Sequence, residues 1–155
     1  GTNGKISLAP ASLGSIKEIL VGQEQWNLNT GAFLVSEGGV HYIMERQKLD
    51  GALFGGTGGL FVMKTQGSGK MLISGYGDIV EIALDGTEDF VVDNQHVLAW
   101  TESLSYSIEV ASGTFGFKTG EGLVNKFRGK GKILIQSRNV EALAQSIIPF
   151  IPSKG

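Results

Sequence analysis

The sequence predicts an all-β domain, a sandwich or barrel built from repeated units of about 64 residues, with one short C-terminal helix. Three observations carry this. Glycine is abundant and proline scarce, 24 against 3 in 155 residues that are 41% hydrophobic, a balance that points to many tight turns between strands. Short runs rich in Val, Ile, Leu and Phe recur roughly every 8–12 residues between those turns. The chain also matches itself at an offset near 64 residues.

The repeat organises the elements. Phe54-Gly55-Gly56-Thr57-Gly58-Gly59-Leu60 aligns with Phe117-Lys118-Thr119-Gly120-Glu121-Gly122-Leu123, and Gly67–Ile73 aligns with Gly129–Ile135. Upstream, Trp26-Asn27-Leu28-Asn29 lies under Phe90-Val91-Val92-Asp93, Phe33-Leu34 under Val97-Leu98, and Tyr42 under Tyr106. Two units result, residues 21–84 and 85–148. Residues 4–20 read as the tail of an earlier unit, because Gly4-Lys5-Ile6 matches Gly69-Lys70-Met71 and Ile16–Ile19 matches Ile79–Ile82. We therefore expect a C-terminal fragment of a longer, three-unit protein.

In chain order, Trp26–Asn29 and Phe33-Leu34 read as strands. Leu60–Lys64 is a strand that leaves a glycine cluster, and Gly67-Ser68-Gly69 is a hairpin turn in which glycine supplies positive φ. Met71–Ser74 and Ile79–Leu84 follow as strands. Phe90–Asp93 and Val97–Trp100 flank a turn at Asn94-Gln95. Ser105–Val110 alternates with period two, placing Tyr106, Ile108 and Val110 on one face. Leu123–Lys126 is again a strand, and Gly129-Lys130-Gly131 is the second hairpin turn. From Val140 to Ile148 the pattern is helical: Val140, Leu143, Ala144 and Ile147 share a stripe, Asn139 caps the start and Pro149 follows the end.

Composition excludes several function classes. There is no Cys, hence no disulfide framework, thiolate metal site or cysteine nucleophile. No apolar run reaches the roughly 18 residues of a membrane span and no signal-peptide pattern opens the chain, so an intracellular, cytoplasmic protein is the expectation. Net charge −2 hides an asymmetry: residues 1–112 carry 6 basic and 13 acidic side chains, residues 113–155 carry 7 and 2. We expect the two ends to meet and neutralise each other.

The segments Ala9-Pro10, Gly31-Ala32-Phe33-Leu34, Leu53–Phe61 and Gly120-Glu121-Gly122-Leu123 resemble the bacterial and mitochondrial family named for altered inheritance of mitochondria, over nearly the whole chain. The family's fold is classed with the tryptophan RNA-binding attenuation protein (TRAP-like). Its paired motif is a glycine, glutamate, glycine, leucine turn. Here the first copy, Thr57-Gly58-Gly59-Leu60, lacks the glutamate, and the second keeps Glu121. The resemblance implies a β-rich protein with no agreed reaction, cofactor or catalytic residue, and full members carry an additional N-terminal unit. The mitochondrial branch is linked to inner-membrane organisation, which suggests a scaffold. Fold does not fix function, so neither a tryptophan pocket nor RNA binding carries over.

Read residue by residue, catalytic groups fail to converge. His41 and His96 occupy unlike positions of the repeat and do not make a metal site. The Asp85, Glu88, Asp89, Asp93 cluster reads as a solvated turn. The glycine clusters 55–59 and 120–122 lead into strands, where a phosphate loop requires a helix. Lys126, Arg128, Lys130 and Lys132 recur every second residue, which an edge strand defended by lysines also gives. No catalytic, cofactor or metal residue is assigned, nor any nucleic-acid partner. Peripheral membrane contact stays open.

Two functions are carried forward. The leading one is a non-enzymatic scaffold or protein-interaction module, acting as a homo-oligomer or on a protein partner, with Phe115 and Phe117 as contact residues. The alternative is a small-ligand-binding protein with an apolar pocket between the units, lined by Trp26, Phe33, Trp100 and Tyr106.

Overall fold

A computed structural model describes residues 3–46, 61–110 and 123–152. In these residues twelve strands and one α-helix follow one another: β1 (Gly14–Val21), β2 (Trp26–Asn29), β3 (Phe33–Ser36), β4 (Val40–Arg46), β5 (Phe61–Gly67), β6 (Gly69–Tyr76), β7 (Ile79–Asp85), β8 (Phe90–Asp93), β9 (Val97–Thr101), β10 (Ser105–Val110), β11 (Leu123–Arg128), β12 (Lys130–Gln136) and α1 (Val140–Ile147). The all-β class and the short C-terminal helix expected from the sequence are both present. β2 joins β3, and β8 joins β9, through a single 3-10 turn. In the second of these, Asp93 accepts a bond from the Gln95 backbone N–H at 2.9 Å.

Two hairpins turn on one residue each, Ser68 between β5 and β6 and Gly129 between β11 and β12. Gly67 and Gly129 sit at φ +84° and +102°, a region that L-residues with a Cβ rarely enter. The glycine clusters 55–59 and 120–122, and with them the phosphate-loop question, lie outside the described residues.

The strands form three antiparallel sheets, ordered β1-β6-β3, β10-β11-β8 and β4-β5-β2-β9-β12-β7. Their pairings repeat. β6 pairs with β3 through Met71↔Ser36, Leu72↔Val35 and Ile73↔Phe33, skipping Leu34. β12 pairs with β9 through Ile133↔Trp100, Leu134↔Ala99 and Ile135↔Val97, skipping Leu98. Each pair in the second set is the first shifted by 62 residues on one strand and 64 on the other, so even the bulge is duplicated. Likewise β4-β5-β2 corresponds to β10-β11-β8, and β1-β6-β3 to β7-β12-β9. The six-stranded sheet arises where β2 of one set pairs with β9 of the other, through Trp26↔Thr101, Asn27↔Trp100 and Leu28↔Ala99.

The middle strands of that sheet contribute to cores on both faces, because successive side chains of a strand point to opposite sides, whereas its edge strand β4 is exposed beyond Val40. Met63, Ala99 and Leu134 join a first core with Ile19 and Val21 of β1 and Met71 and Ile73 of β6. Their immediate neighbours Val62, Trp100 and Ile133 join a second core with Phe127 of β11. The fold is thus a three-layer sandwich, with the β1-β6-β3 sheet on one side of the six-stranded sheet and the β10-β11-β8 sheet on the other.

Helix α1 starts as the sequence predicts. The Asn139 side-chain oxygen accepts the Ala142 backbone N–H at 2.7 Å. The predicted stripe forms, yet none of its residues is buried among the described ones: Val140 is 63% and Ile147 47% exposed. His96 ties the helix to β12. One ring nitrogen, Nδ1, lies 2.7 Å from the Gln136 carbonyl and therefore donates. The other, Nε2, then accepts from the Asn139 amide at 3.0 Å.

Candidate functional site

The four residues proposed to line a pocket fall in two places. Trp26 belongs to the first core and Phe33 packs against it. Trp100 is in the second core with Tyr106 packed beside it. Trp26 and Trp100 project from adjacent strands to opposite faces of the six-stranded sheet, so the structure does not bring the four together. Phe115 and Phe117 lie outside the described residues.

Each pair has local packing of its own. The Trp26 indole N–H donates to the Leu20 carbonyl at 3.0 Å, fastening the end of β1 to β2. Phe33 meets Tyr42 with ring centroids 5.7 Å apart. In the second core Trp100 stands edge-on to Tyr106 at 4.6 Å and to Phe127 at 5.5 Å. Such aromatic pairs contribute beyond the area they bury. The Trp100 indole nitrogen, the Asn27 side-chain oxygen and both amide atoms of Asn125 are buried without a hydrogen-bond partner.

Tyr106 titrates unusually. Burial, reinforced by the negative charge of Glu45, pushes its phenol up to about 12. A phenol held protonated in the folded state above its ordinary value contributes stability that is full below pH 10 and is lost as pH rises through about 12. Urea unfolding of Tyr106→Phe should therefore show a shallower loss of stability across that alkaline window than the parent chain. Equal slopes would disprove the assignment.

A polar groove of about 400 Å³ is lined by Gln25, Ile43, Lys64, Thr65, Gln66, Gly67 and Glu102. Most of its polar groups already hold the fold. The Gln25 amide donates to the Gly22 carbonyl at 3.1 Å and the Gly67 carbonyl at 3.0 Å. Thr65 donates to Gln25 at 2.8 Å and accepts the Trp26 backbone N–H at 2.8 Å. Lys64 pairs with Glu45 at 2.6 Å. Among the described residues no group of three or more His, Asp or Glu side chains is arranged to hold a metal ion.

Three basic side chains of the C-terminal segment meet acidic ones of the earlier segment. Lys126 and Arg128 both reach Asp89, each at 3.0 Å, and Lys132 reaches Glu24 at 2.9 Å. The bond from Lys126, with help from Arg128, holds the Asp89 carboxyl below its ordinary range. The Thr87 backbone and hydroxyl do the same for Asp85.

What remains is a difference between corresponding sheet edges. β4 and β10, like β1 and β7, end their sheets in both copies. β3 and β8 also end their sheets, but their counterparts β9 and β2 pair with each other. Burial follows pairing. All five residues of β9 are buried, whereas all four of β3 are only half-buried. Asn27 of β2 is 3% exposed. Val91, its counterpart in β8, is apolar and 40% exposed. Among the described residues no further strand pairs with these edges, and an unpaired edge presents a row of backbone N–H and C=O groups that can template another strand. Sequence reasoning named Phe33, at the start of β3, but missed Phe90, Val91 and Val92. The alignment of Trp26–Asn29 with Phe90–Asp93 held the signal, which becomes legible only once β2 is known to pair with β9.

A family model described as mitochondrial biogenesis AIM24 matches residues 1–138. The chain belongs to that family. It is 45% identical over 152 residues to an uncharacterised protein of Streptococcus pyogenes serotype M6, covering 97% of this chain and 61% of that protein. It is also similar to the X-ray crystal structure of a Streptococcus pyogenes protein, with a TM-score of 0.78 at 42% identity, covering 92% of this chain and 63% of the other. The chain thus spans about three fifths of the length of these relatives. No described helix is long and apolar enough to cross a membrane.

Proposed function

We propose that this AIM24-family chain is a non-enzymatic scaffold or protein-interaction module that works through the open edges of β3 and β8. One observation carries the reading: strands that are buried by pairing in one copy of the module are half-exposed in the other. Supporting it, Lys64 of the groove is paired with Glu45, and Asp85, Asp89 and Asp93 of the acidic turn are engaged in capping bonds and ion pairs. The reading takes the cytoplasm as its setting.

A photo-crosslinking residue placed at Val91 tests it, with Val80 as the control. Val80 is similarly exposed, at 45%, but lies on β7, an edge that is open in both copies. The reading expects crosslinks from position 91 to a protein identified by its linked peptide, at several times the yield from position 80. Equal yields would count against it.

A further inference from the structure

Independently of the sheet edges, we propose that Gln95 and His96, in the 3-10 turn between β8 and β9, hold helix α1 to the sheets through a fastening that opens when His96 takes up a proton. The fastening is polar. No residue of α1 is buried among the described ones, so little apolar packing holds the helix. Two side-chain bonds tie it to the turn instead. The Gln95 amide donates to the Glu141 carboxylate. The Asn139 amide donates to His96 Nε2 at 3.0 Å.

The repeat shows that these residues come with the helix. After β6 the chain enters β7, whereas after the matching strand β12 it enters α1. By the offset that carries β3 onto β9, Gln95 and His96 correspond to Gly31 and Ala32. By the offset that carries β6 onto β12, Asn139 and Glu141 correspond to Gly77 and Ile79. None of these counterparts has a side chain able to make either bond. Both halves of both links are present only in the copy that ends in a helix.

The chemistry of the ring makes one link sensitive to pH. The Gln136 carbonyl, an acceptor, requires a proton on Nδ1. The Ala142 backbone N–H, a donor, requires the Asn139 side-chain oxygen at 2.7 Å, which turns the Asn139 NH2 toward Nε2. Nε2 must therefore carry no proton. A proton there sets an N–H against the NH2. The Asn139 amide recovers that bond only by turning over, which takes its oxygen from the Ala142 N–H and removes the helix cap. Either the link or the cap is lost. Histidine is the side chain whose charge ordinarily changes between pH 5 and 8. The fastening is complete while His96 is neutral and is lost as pH falls through its titration. The charged groups on the elements that meet the turn are Asp93 of β8, Lys126 of β11, paired with Asp89, and Asp78 ahead of β7. Beyond β12 stand Arg138, whose side-chain carbons lie over Gly77, and Glu141 on α1. Of these, Glu141 bears on the helix directly.

Amide hydrogen exchange in the α1 residues 144–147, read by NMR on the full chain and divided by unstructured-peptide rates at each pH, tests the proposal. The His96 ring shifts follow its titration in the same samples. Between about pH 8 and pH 5 the protection of these amides should fall about fivefold, the size of one helix cap. Its midpoint should coincide with that of the His96 ring. His96→Gln supplies an amide that both donates and accepts but does not titrate, so the fall should shrink to under about twofold. Glu141→Gln keeps an acceptor for Gln95 and should leave the response of the parent unchanged. Thermal midpoints check that both variants fold, and the parent titration decides the matter alone if either does not. Protection that stays constant in the parent, or that falls with a midpoint away from that of the ring, would overturn the proposal. So would a response that survives His96→Gln or vanishes in Glu141→Gln.

Discussion

Trp100→Ala is expected to destabilise the chain by about 3–5 kcal/mol. The indole is fully buried at the meeting point of both modules. It sits on β9, the strand that joins them, opposite Asn27 of β2 and Ile133 of β12. Its ring stacks edge-on against Tyr106 and Phe127. Truncation removes a large apolar side chain and leaves a cavity that three sheet neighbours cannot collapse into without breaking backbone pairing. Trp100→Phe keeps most of the volume and removes a buried indole N–H that has no partner, so its cost should be less than half that of alanine. Chemical denaturation of the two variants beside the parent measures both. An alanine cost under about 1 kcal/mol would mean that the second core is not packed as described.

The two hairpin glycines should separate in a way their sequences do not announce. Gly67→Ala forces a Cβ onto a residue at φ +84° and sets it 2.3 Å from the Gly39 carbonyl oxygen. That oxygen accepts the Ser68 backbone N–H at 3.1 Å, so the clash falls on a backbone bond that holds the turn. Gly129→Ala forces the same left-handed strain at φ +102°, but its nearest neighbour is 3.7 Å away. Strain alone is worth about 1–2 kcal/mol. Losing the carbonyl bond adds about 1 kcal/mol or more. Gly67→Ala should therefore cost about 2–4 kcal/mol and Gly129→Ala about half that. Equal costs would show that the Gly39 carbonyl moves aside freely.

Much of the fold was legible because its signals are local. Period-two alternation in Ser105–Val110 packs half-buried Tyr106 against the second core and buries Ile108. Asn139 caps α1 and Gly129 turns the last hairpin, as their side chains and backbone freedom dictate. The candidate site was less legible. Trp26, Phe33, Trp100 and Tyr106 are all aromatic and strand-borne, which suggested one pocket. Yet whether adjacent strands turn two tryptophans to the same face depends on register, and Trp26 pairs with Thr101 while Asn27 pairs with Trp100. The edges were harder still. Whether Phe90–Asp93 ends a sheet or sits inside one depends on a strand at the far side of another module. That the basic end meets the acidic segment was expected from the charge asymmetry, and it does so at Asp89 and Glu24.

Hydrogen exchange, read strand by strand, tests most directly whether β2 and β9 join the two copies of the module while β3 and β8 end their sheets. In this chain the amides that β2 and β9 turn toward each other should be protected, and the outward amides of β3 and β8 should exchange fast. Equal exchange at the two pairs of strands would contradict the account.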